Sequence, residues 1–550
     1  MRKPEFFLLP LAALFLLGLF STELSDPDAW WHLATGRYIV AHHQLPVPDP
    51  FAYTTALSPP ASPAEARTRR FNLTHEWLAQ AAWYLIETTG GFGAVVFWKA
   101  FLLALLCSLT GLVTKWRTDS WLWAVAAALA TASLATEFAH DRPSILSYVF
   151  TAAFIAIFEN RKHLWILPPL LLLWANCHGG FFLGWIVCAA YAAEALLRRA
   201  PDARRLVTVS AIAVAVSGLN PNGFAVIPTL LNYRQSALQA SLTEWARADL
   251  WGSPYAFDLL LYAAAACLIA SWKRVRAADW FLFAAFAAAA VTAFRNELLV
   301  GLLAPILIAS YFPWKRRLPV AASYAAAAAL LLALVWGSVR GSFFQLRAAE
   351  WRYPAGAAQF LRDHRITAHL FNTYEYGGYL IWAGQPVFID GRALSESVFQ
   401  DYRMILGTPP GDARRDQTLS RYAIGAIVVN SFEYNSGALY PLVLALAQPD
   451  EAQWKLVYRD PQSLVFLRNS PPDLAPIDKS QIALHLEAEC TLHVERDPEF
   501  SLCARTLGDL FMRSGDRERA RRALGLYLAH PYQGVDDAEA RRAYTSLLQQ

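Results

Sequence analysis

The stretch DPDAWWHLATGRYIVAHHQLPVPDPFAYTT, residues Asp26–Thr55, decides how this chain is to be read. It follows directly on an apolar segment, Phe6–Phe20, and sets Asp26, Asp28, His32, Arg37, His42, His43 and Asp49 among Trp30, Trp31, Tyr38 and Phe51. Aromatic residues collect at membrane–water interfaces, so a position beside a bilayer explains the rings. It does not explain the carboxylates and histidines, which suggest a reaction site at the membrane surface. The bland alternative is an aromatic belt with solvated charges, and the placement of the other polar clusters favours a site. From Asp28 to His43 the spacing predicts a helix lying in the interface. Trp31, Ala34, Tyr38 and Ala41 share one face, and Asp28, His32 and Thr35 another. LPVPDP ends it, because proline cannot continue a helix.

Outward from this stretch, composition sets the class. The chain has 550 residues, 55% hydrophobic and 17% charged, against about 45–50% apolar and about 25% charged in soluble domains. Apolar runs occupy approximately 92–114, 120–136, 144–158, 163–176, 180–197, 206–218, 256–272, 279–294, 298–312 and 318–338. With the first segment, read as an uncleaved span because no A-x-A-like site precedes Asp26, these predict about eleven membrane spans. Basic residues mark alternate junctions: Arg2 and Lys3, Lys115 and Arg117, Arg161 and Lys162, Arg198 with Arg199, Arg204 and Arg205, Lys273 with Arg274 and Arg276, and Lys315–Arg317. By the positive-inside rule these junctions and the N-terminus are cytoplasmic, and the C-terminal region is extracytoplasmic. In a bacterium that is an inner-membrane protein with a periplasmic domain. The small net charge of +4 and this dispersal argue against a nucleic-acid partner. Six cysteines show no metal-ligand spacing, and Cys107, Cys188 and Cys267 sit in apolar runs as small hydrophobes.

The remaining junctions all face outward and hold the unusual residues. EFAHDRPS brings Glu137, His140, Asp141 and Arg142; WANCHGG brings Asn176 and His178; LNPNG brings Asn220 and Asn222 and opens a loop with Thr243-Glu244-Trp245; FRNE brings Arg295, Asn296 and Glu297. Ionisable groups at membrane depth are costly and tend to line functional cavities. Each motif alone reads as a turn or helix end; together on one side they argue for a site. In the first outer loop, 24–91, residues 56–70 read as a mobile polar segment. Thr74 is placed to cap a second interfacial helix beginning at His75 and Glu76, which serve equally as site residues or first-turn residues.

Beyond residue 340 the pattern changes. Residues 341–475 alternate helical segments with the apolar runs AHLFN, GYLIW, PVFID, IGAIVVN, WKLVY and SLVFLR, which predict an α/β domain with a partly parallel sheet. Asp390-Gly391-Arg392 reads as a turn at a strand end. Residues 476–550 are helical and match one tetratricopeptide repeat, with Leu507, Gly508, Phe511, Ala520 and Leu524 at packing positions and Pro531 closing the unit. Cys490 and Cys503 in this outer segment are candidates for a disulfide.

This organisation resembles the GT-C superfamily of integral membrane glycosyltransferases, which use polyprenyl-phosphate-linked sugar donors. The likeness rests on many spans with an extracytoplasmic C-terminal domain, two interfacial helices in the first outer loop, acids after the first span (Asp26–Asp28), and arginines and histidines at later outer junctions. DPDAWWHL followed by HEWL also resembles a group of uncharacterised bacterial membrane proteins usually placed near this superfamily. Tyr374-Glu375-Tyr376-Gly377-Gly378-Tyr379 is more faintly similar to the WWDYG segment with which oligosaccharyltransferases recognise their acceptor. It departs from that segment at Thr373, Tyr374 and Glu375.

The resemblance implies an inverting sugar transfer. Such a transfer needs a base at the acceptor and positive charge at the leaving phosphate. Asp28 is the expected base, with Asp26 or Asp49 next. Arg142, His178 and Arg295 are the expected phosphate partners. His32, Arg37, His75 and Glu76 are further substrate contacts, as are Tyr374, Glu375 and Tyr376 in the tail. No cofactor is required by the motifs, but Asp26, Asp28 and Glu137 offer oxygen ligands to Mg²⁺ or Mn²⁺. The expected partners are the lipid-linked donor, an extracytoplasmic acceptor (glycan, lipid or protein), membrane lipids, and a protein on the C-terminal helices. The rival reading is a non-catalytic membrane scaffold that assembles an envelope complex through its tail. A transporter is less well supported, because no repeat of spans is visible.

Overall fold

Each apolar run folds as a helix, since a segment in lipid must satisfy its backbone within itself. The computed structural model describes residues 3–233, 243–250, 255–312, 320–472, 474–532 and 534–549; the basic junction Lys315–Arg317 lies outside them. The chain divides into two units, Met1–Val47 with Ala61–Ala348, and Pro48–Pro60 with Ala349–Gln550.

The first unit is helical. Five stretches are long and apolar enough to cross a membrane: Pro63–Thr118, Trp121–Phe138, Gly179–Leu197, Phe294–Tyr311 and Val320–Val339. Five shorter apolar helices accompany them, Leu8–Phe20, Ser144–Asn160, Leu164–Cys177, Ala256–Ala270 and Ala277–Thr292. The eleventh run is the helix Ala203–Val216, which opens on Arg204 and Arg205. A helix forms over Asp28–His42, ending at His43 in the left-handed conformation, and His32 and Thr35 on its expected polar face are buried together with Trp31 and Ala34 on the other. Residues 56–70 do not form a mobile segment. Ser62 caps a helix over Pro63–Thr74, accepting the Glu65 N–H at 3.2 Å, with Pro63 in the first turn where its missing N–H costs nothing. Thr74 does not cap the next helix: it ends Pro63–Thr74 with its hydroxyl on the Arg70 carbonyl, and the helix Trp77–Thr118 starts after Glu76 and bends at Gly91 (φ 65°), a conformation glycine adopts without a Cβ penalty.

Two polar tie-points brace the helices. Lys99, fully buried in the apolar stretch VVFWKAFLL, pairs with Asp141 at 3.2 Å and donates to the Thr22 carbonyl at 3.0 Å. At the other end of Ser144–Asn160, Glu159 joins Arg117 (2.8 Å) and Arg276 (2.6 Å). Both arginines also reach Asp279, at 2.9 and 3.0 Å. Each charge in that network has a partner, which is the condition for burying it.

In the second unit four strands, β1 (His369–Asn372), β2 (Ile424–Val429), β3 (Lys455–Arg459) and β4 (Leu464–Leu467), form a sheet in the order β1-β2-β4-β3. β1 is parallel to β2 and the other pairs are antiparallel. Two expected strands are not found. GYLIW lies in a helix, Tyr374–Trp382, and PVFID makes only the single bridge Ala52↔Val387. A short apolar run does not distinguish a buried strand from a buried helix. Gly377 packs so tightly on the 389–390 backbone that a Cβ would stand 2.2 Å from the Ile389 oxygen. The tail is four helices, Gln481–Arg496, Leu502–Ser514, Arg517–Ala529 and Ala538–Leu548. Gly508 lies directly against Leu524, and a disulfide links Cys490 to Cys503.

Candidate active site

In the first unit, residues from four separate junctions meet. Pro27 begins the turn into the interfacial helix, where the Asp28 N–H donates to Asp26 Oδ1 at 2.9 Å, so the two carboxylates are set by one turn. Arg142 is the residue before Pro143, which precedes the helix Ser144–Asn160. Its Nε pairs with Asp26 Oδ2, and its Nη1 with Asp28 Oδ2 at 3.0 Å and Glu244 Oε1 at 2.6 Å. Glu244 comes from the 3-10 turn Thr243–Trp245. Arg295, from the 3-10 turn Phe294–Asn296, approaches Glu244 Oε2 at 3.5 Å and covers the Trp245 ring at 5.1 Å.

Access increases outward. Asp26 is sealed at 2% side-chain exposure, while Asp28 is at 16%, Arg142 at 23%, Arg295 at 34% and Glu244 at 37%. Asp28 and the two guanidiniums are thus open to solvent where Asp26 is not. The electrostatics separate the two aspartates in the same sense. Burial works to raise the Asp26 carboxyl, but Arg142 and His140 outweigh it and hold the group well below the usual carboxylate range. Asp28, buried with only part of the Arg142 charge and facing Asp26, is pushed up to about 6. Desolvation works to raise Glu244 as well, yet Arg142 and Arg295 outweigh it and lower the group.

Beside this cluster lies a second one. Glu76 Oε1 is 3.5 Å from both His75 Nε2 and His178 Nε2, and Glu76 Oε2 is 3.5 Å from His32 Nδ1. The ligating atoms of His75, Glu76 and His178 all lie within 4.8 Å of one another, a grouping with the composition of a metal site. Their outer contacts fix the tautomers. His75 Nδ1 donates to the Phe71 carbonyl at 2.8 Å, leaving a lone pair on Nε2. His178 Nδ1 instead accepts the Gly180 N–H at 3.0 Å and faces the Ser147 hydroxyl at 2.6 Å, so its hydrogen is on Nε2 and points at Glu76. The glycines after His178 permit this turn: a Cβ on Gly179 would meet Phe71 at 2.9 Å, and one on Gly180 would meet Ser147 Oγ at 2.4 Å.

The other expected residues fall elsewhere. Glu137 is exposed on the turn Thr136–Phe138, and its charge acts on Tyr255 and Glu297. The third carboxylate with Asp26 and Asp28 is Glu244. Asp49 folds with the second unit. There it pairs with Arg392 at 2.7 Å, both side chains are 2% exposed, and its oxygens accept the N–H groups of Phe51 and Ala52. A carboxylate committed in this way is not offered to a substrate, so Asp49 is a structural residue. Arg37 is half-buried on the interfacial helix, and its charge acts on Glu87. Tyr376 is fully buried, donating to the Gln462 carbonyl, and Tyr374 gives its N–H to Tyr402 Oη at 3.0 Å. Burial pushes Glu375 up to about 7. Asn176, Asn220 and Asn222 are braces: Asn176 ties Trp77 to Leu219, Asn222 bonds Thr74, and Asn220 closes its own turn.

These features define a fold of long apolar helices carrying an acid–arginine cluster, joined to a second unit containing a small mixed sheet. The course of the chain is similar to that of archaeal oligosaccharyltransferase. The structure of AglB from Archaeoglobus fulgidus, in complex with an inhibitory peptide and a dolichol-phosphate, superposes with a TM-score of 0.57 over 97% of this chain and 87% of that one, at 12% identity. A second structure of the Archaeoglobus fulgidus oligosaccharyltransferase, tethered to an acceptor peptide containing the NVT sequon, gives 0.56 over 88% and 77%, also at 12% identity. No protein-family model and no curated protein sequence matches the chain.

Proposed function

We propose that this protein is an inverting glycosyltransferase that moves a sugar from a polyprenyl-phosphate-linked donor to an extracytoplasmic acceptor. The observation that carries the reading is the convergence of Asp28, Arg142, Glu244 and Arg295 from separate junctions onto one partly open site. The fold shared with AglB, whose structure holds a dolichol-phosphate, supports a lipid-linked donor. The basic junctions support an N-terminus in the cytoplasm of a bacterial cell and a second unit on the outer side.

Asp28 is the base. Its carboxylate takes the proton of the acceptor group as that group attacks the anomeric carbon, and the bond from that carbon to the phosphate oxygen breaks. The phosphate leaves with both electrons of that bond. Arg295 supplies the more exposed positive charge for it, and His178 Nε2–H a donor on the neighbouring wall. Holding donor and acceptor together in one cleft contributes up to about 7–11 kcal/mol. The lipid chain lies along the spans, and the acceptor approaches from the aqueous side.

The test is the lipid-linked sugar pool of cells lacking the protein. A polyprenyl-phosphate-linked sugar should accumulate, and the wild-type gene should clear it. An unchanged pool, with the envelope altered in another way, would favour the scaffold.

A further inference from the structure

Asp26, Asp28 and Glu244 are hard oxygen donors of the kind that hold Mg²⁺ or Mn²⁺, and they converge on one point. A guanidinium already stands there. Arg142 presents Nε to Asp26 and Nη1 to both Asp28 and Glu244, so all three carboxylates turn an oxygen to the same side chain. We infer that Arg142 is the resident cation of this cluster, standing where a divalent ion would bridge the three carboxylates, and that the site functions without Mg²⁺ or Mn²⁺ at these residues. The catalytic meaning of this rests on the transferase reading; the binding behaviour tested below does not.

Four observations carry it. The first is that Arg142 is firmly placed. It precedes Pro143, which restricts its backbone, and the neighbouring Asp141 is anchored to the buried Lys99 at 3.2 Å. That pairing also withholds Asp141 from the cluster. Second, Mg²⁺ requires oxygens at about 2.0–2.1 Å in octahedral array, whereas the oxygens facing this point already take charge-assisted contacts from N–H groups. Third, a second guanidinium, Arg295, sits at 3.5 Å on the other oxygen of Glu244, so an entering divalent ion would meet two fixed positive charges. The fourth concerns the neighbouring grouping of His75, Glu76 and His178. His178 Nδ1 accepts the Gly180 N–H, so its Nε2 carries hydrogen and has no lone pair to give a metal.

A guanidinium differs from a metal ion in ways that matter here. It stays charged at every working pH, does not exchange with solvent ions, and holds the acids in one planar fork. It also leaves Asp28 as a carboxylate able to take a proton rather than as a ligand committed to a metal.

The experiment is a Mn²⁺ titration of the purified full chain, followed by electron paramagnetic resonance. The wild type should bind no Mn²⁺ through the acids. Arg142→Gln leaves three carboxylates without their cation, and should gain one Mn²⁺ per chain at least about 100-fold tighter than wild type. Adding Glu244→Gln should abolish that gain. Mn²⁺ bound by the wild type and absent from Asp28→Asn or Glu244→Gln would overturn the inference, as would a normally folded Arg142→Gln that gains none. If Arg142→Gln does not fold, the wild type and the two acid variants decide alone. Wild-type Mn²⁺ that survives both acid changes would lie outside the cluster and uphold the inference for these three carboxylates.

Discussion

Replacing Asp28 by asparagine removes one charge and almost nothing else. The turn that sets the residue is held by its backbone N–H on Asp26 Oδ1, which asparagine keeps. The ion pair it removes is the one with Arg142 at 3.0 Å, between partners that are 16% and 23% exposed. An ion pair with that much solvent contributes about 0–1 kcal/mol, too little to unfold the protein. The chemical effect is much larger. With its acidity pushed up to about 6, Asp28 is roughly nine-tenths ionised at pH 7, and so both available and basic enough to take a proton. Loss of a positioned base lowers the rate about 10²–10⁴-fold. Asp28→Asn should therefore insert and melt like wild type, and bind donor lipid normally. Its single-turnover transfer of labelled sugar in liposomes should be at least about 100-fold slower. Full transfer by this variant would refute Asp28 as the base, and Asp26 would then be the carboxylate to test.

Other expectations follow from the same geometry. Transfer by the wild type should fall on an acid limb with a midpoint near pH 6, because the base form of Asp28 is lost as pH drops through its raised value; a rate that holds level from pH 7 to 5 contradicts this. Arg295→Ala should weaken both binding of the donor phosphate and turnover, seen as a higher KM with a lower kcat. Lys99→Ala leaves Asp141 charged and unpaired in the interior, and should cost about 3–5 kcal/mol, read as a lower melting temperature in detergent. Cys490→Ser opens a loop of 13 residues and should destabilise the tail by about 3 kcal/mol, measurable as faster proteolysis of residues 476–550.

Much of the architecture is legible in the sequence because apolar periodicity is a strong local signal. Every apolar run before residue 340 is a helix, and AHLFN, IGAIVVN, WKLVY and SLVFLR are strands. The site is partly legible: the acids after the first span and the arginine of HDRP both stand out, and the structure joins them directly. Residues whose meaning depends on a distant partner are not. Glu244 reads as one acid in a loop, and only the fold brings it to Arg142 across 102 positions. Asp49 reads like its neighbours Asp26 and Asp28, and only the fold delivers the Arg392 that claims it. Lys99 is not a junction residue and so carries no topological signal, although one lysine within an apolar run calls for a buried acid. GYLIW reads as a strand because nothing local reveals that Gly377, the residue before it, is required by the backbone it presses against.

The segment Pro48–Pro60 has a consequence for biogenesis. It leaves the ribosome early, yet its structural place is among residues made much later, and Asp49 waits 343 positions for Arg392. At translation rates of about 5–20 residues per second, that wait is roughly 20–70 seconds. During it a carboxylate destined for burial remains hydrated, while the spans between the two partners insert. The second unit is therefore not an appendage that can finish folding as soon as its own sequence from Ala349 has emerged. It closes around a strap delivered at the start of synthesis, and a chain begun at Ala349 would bury Arg392 and Asp390 without the Asp49 counter-charge. Severing the strap between Val47 and Pro48 should thus impair folding some 340 residues downstream.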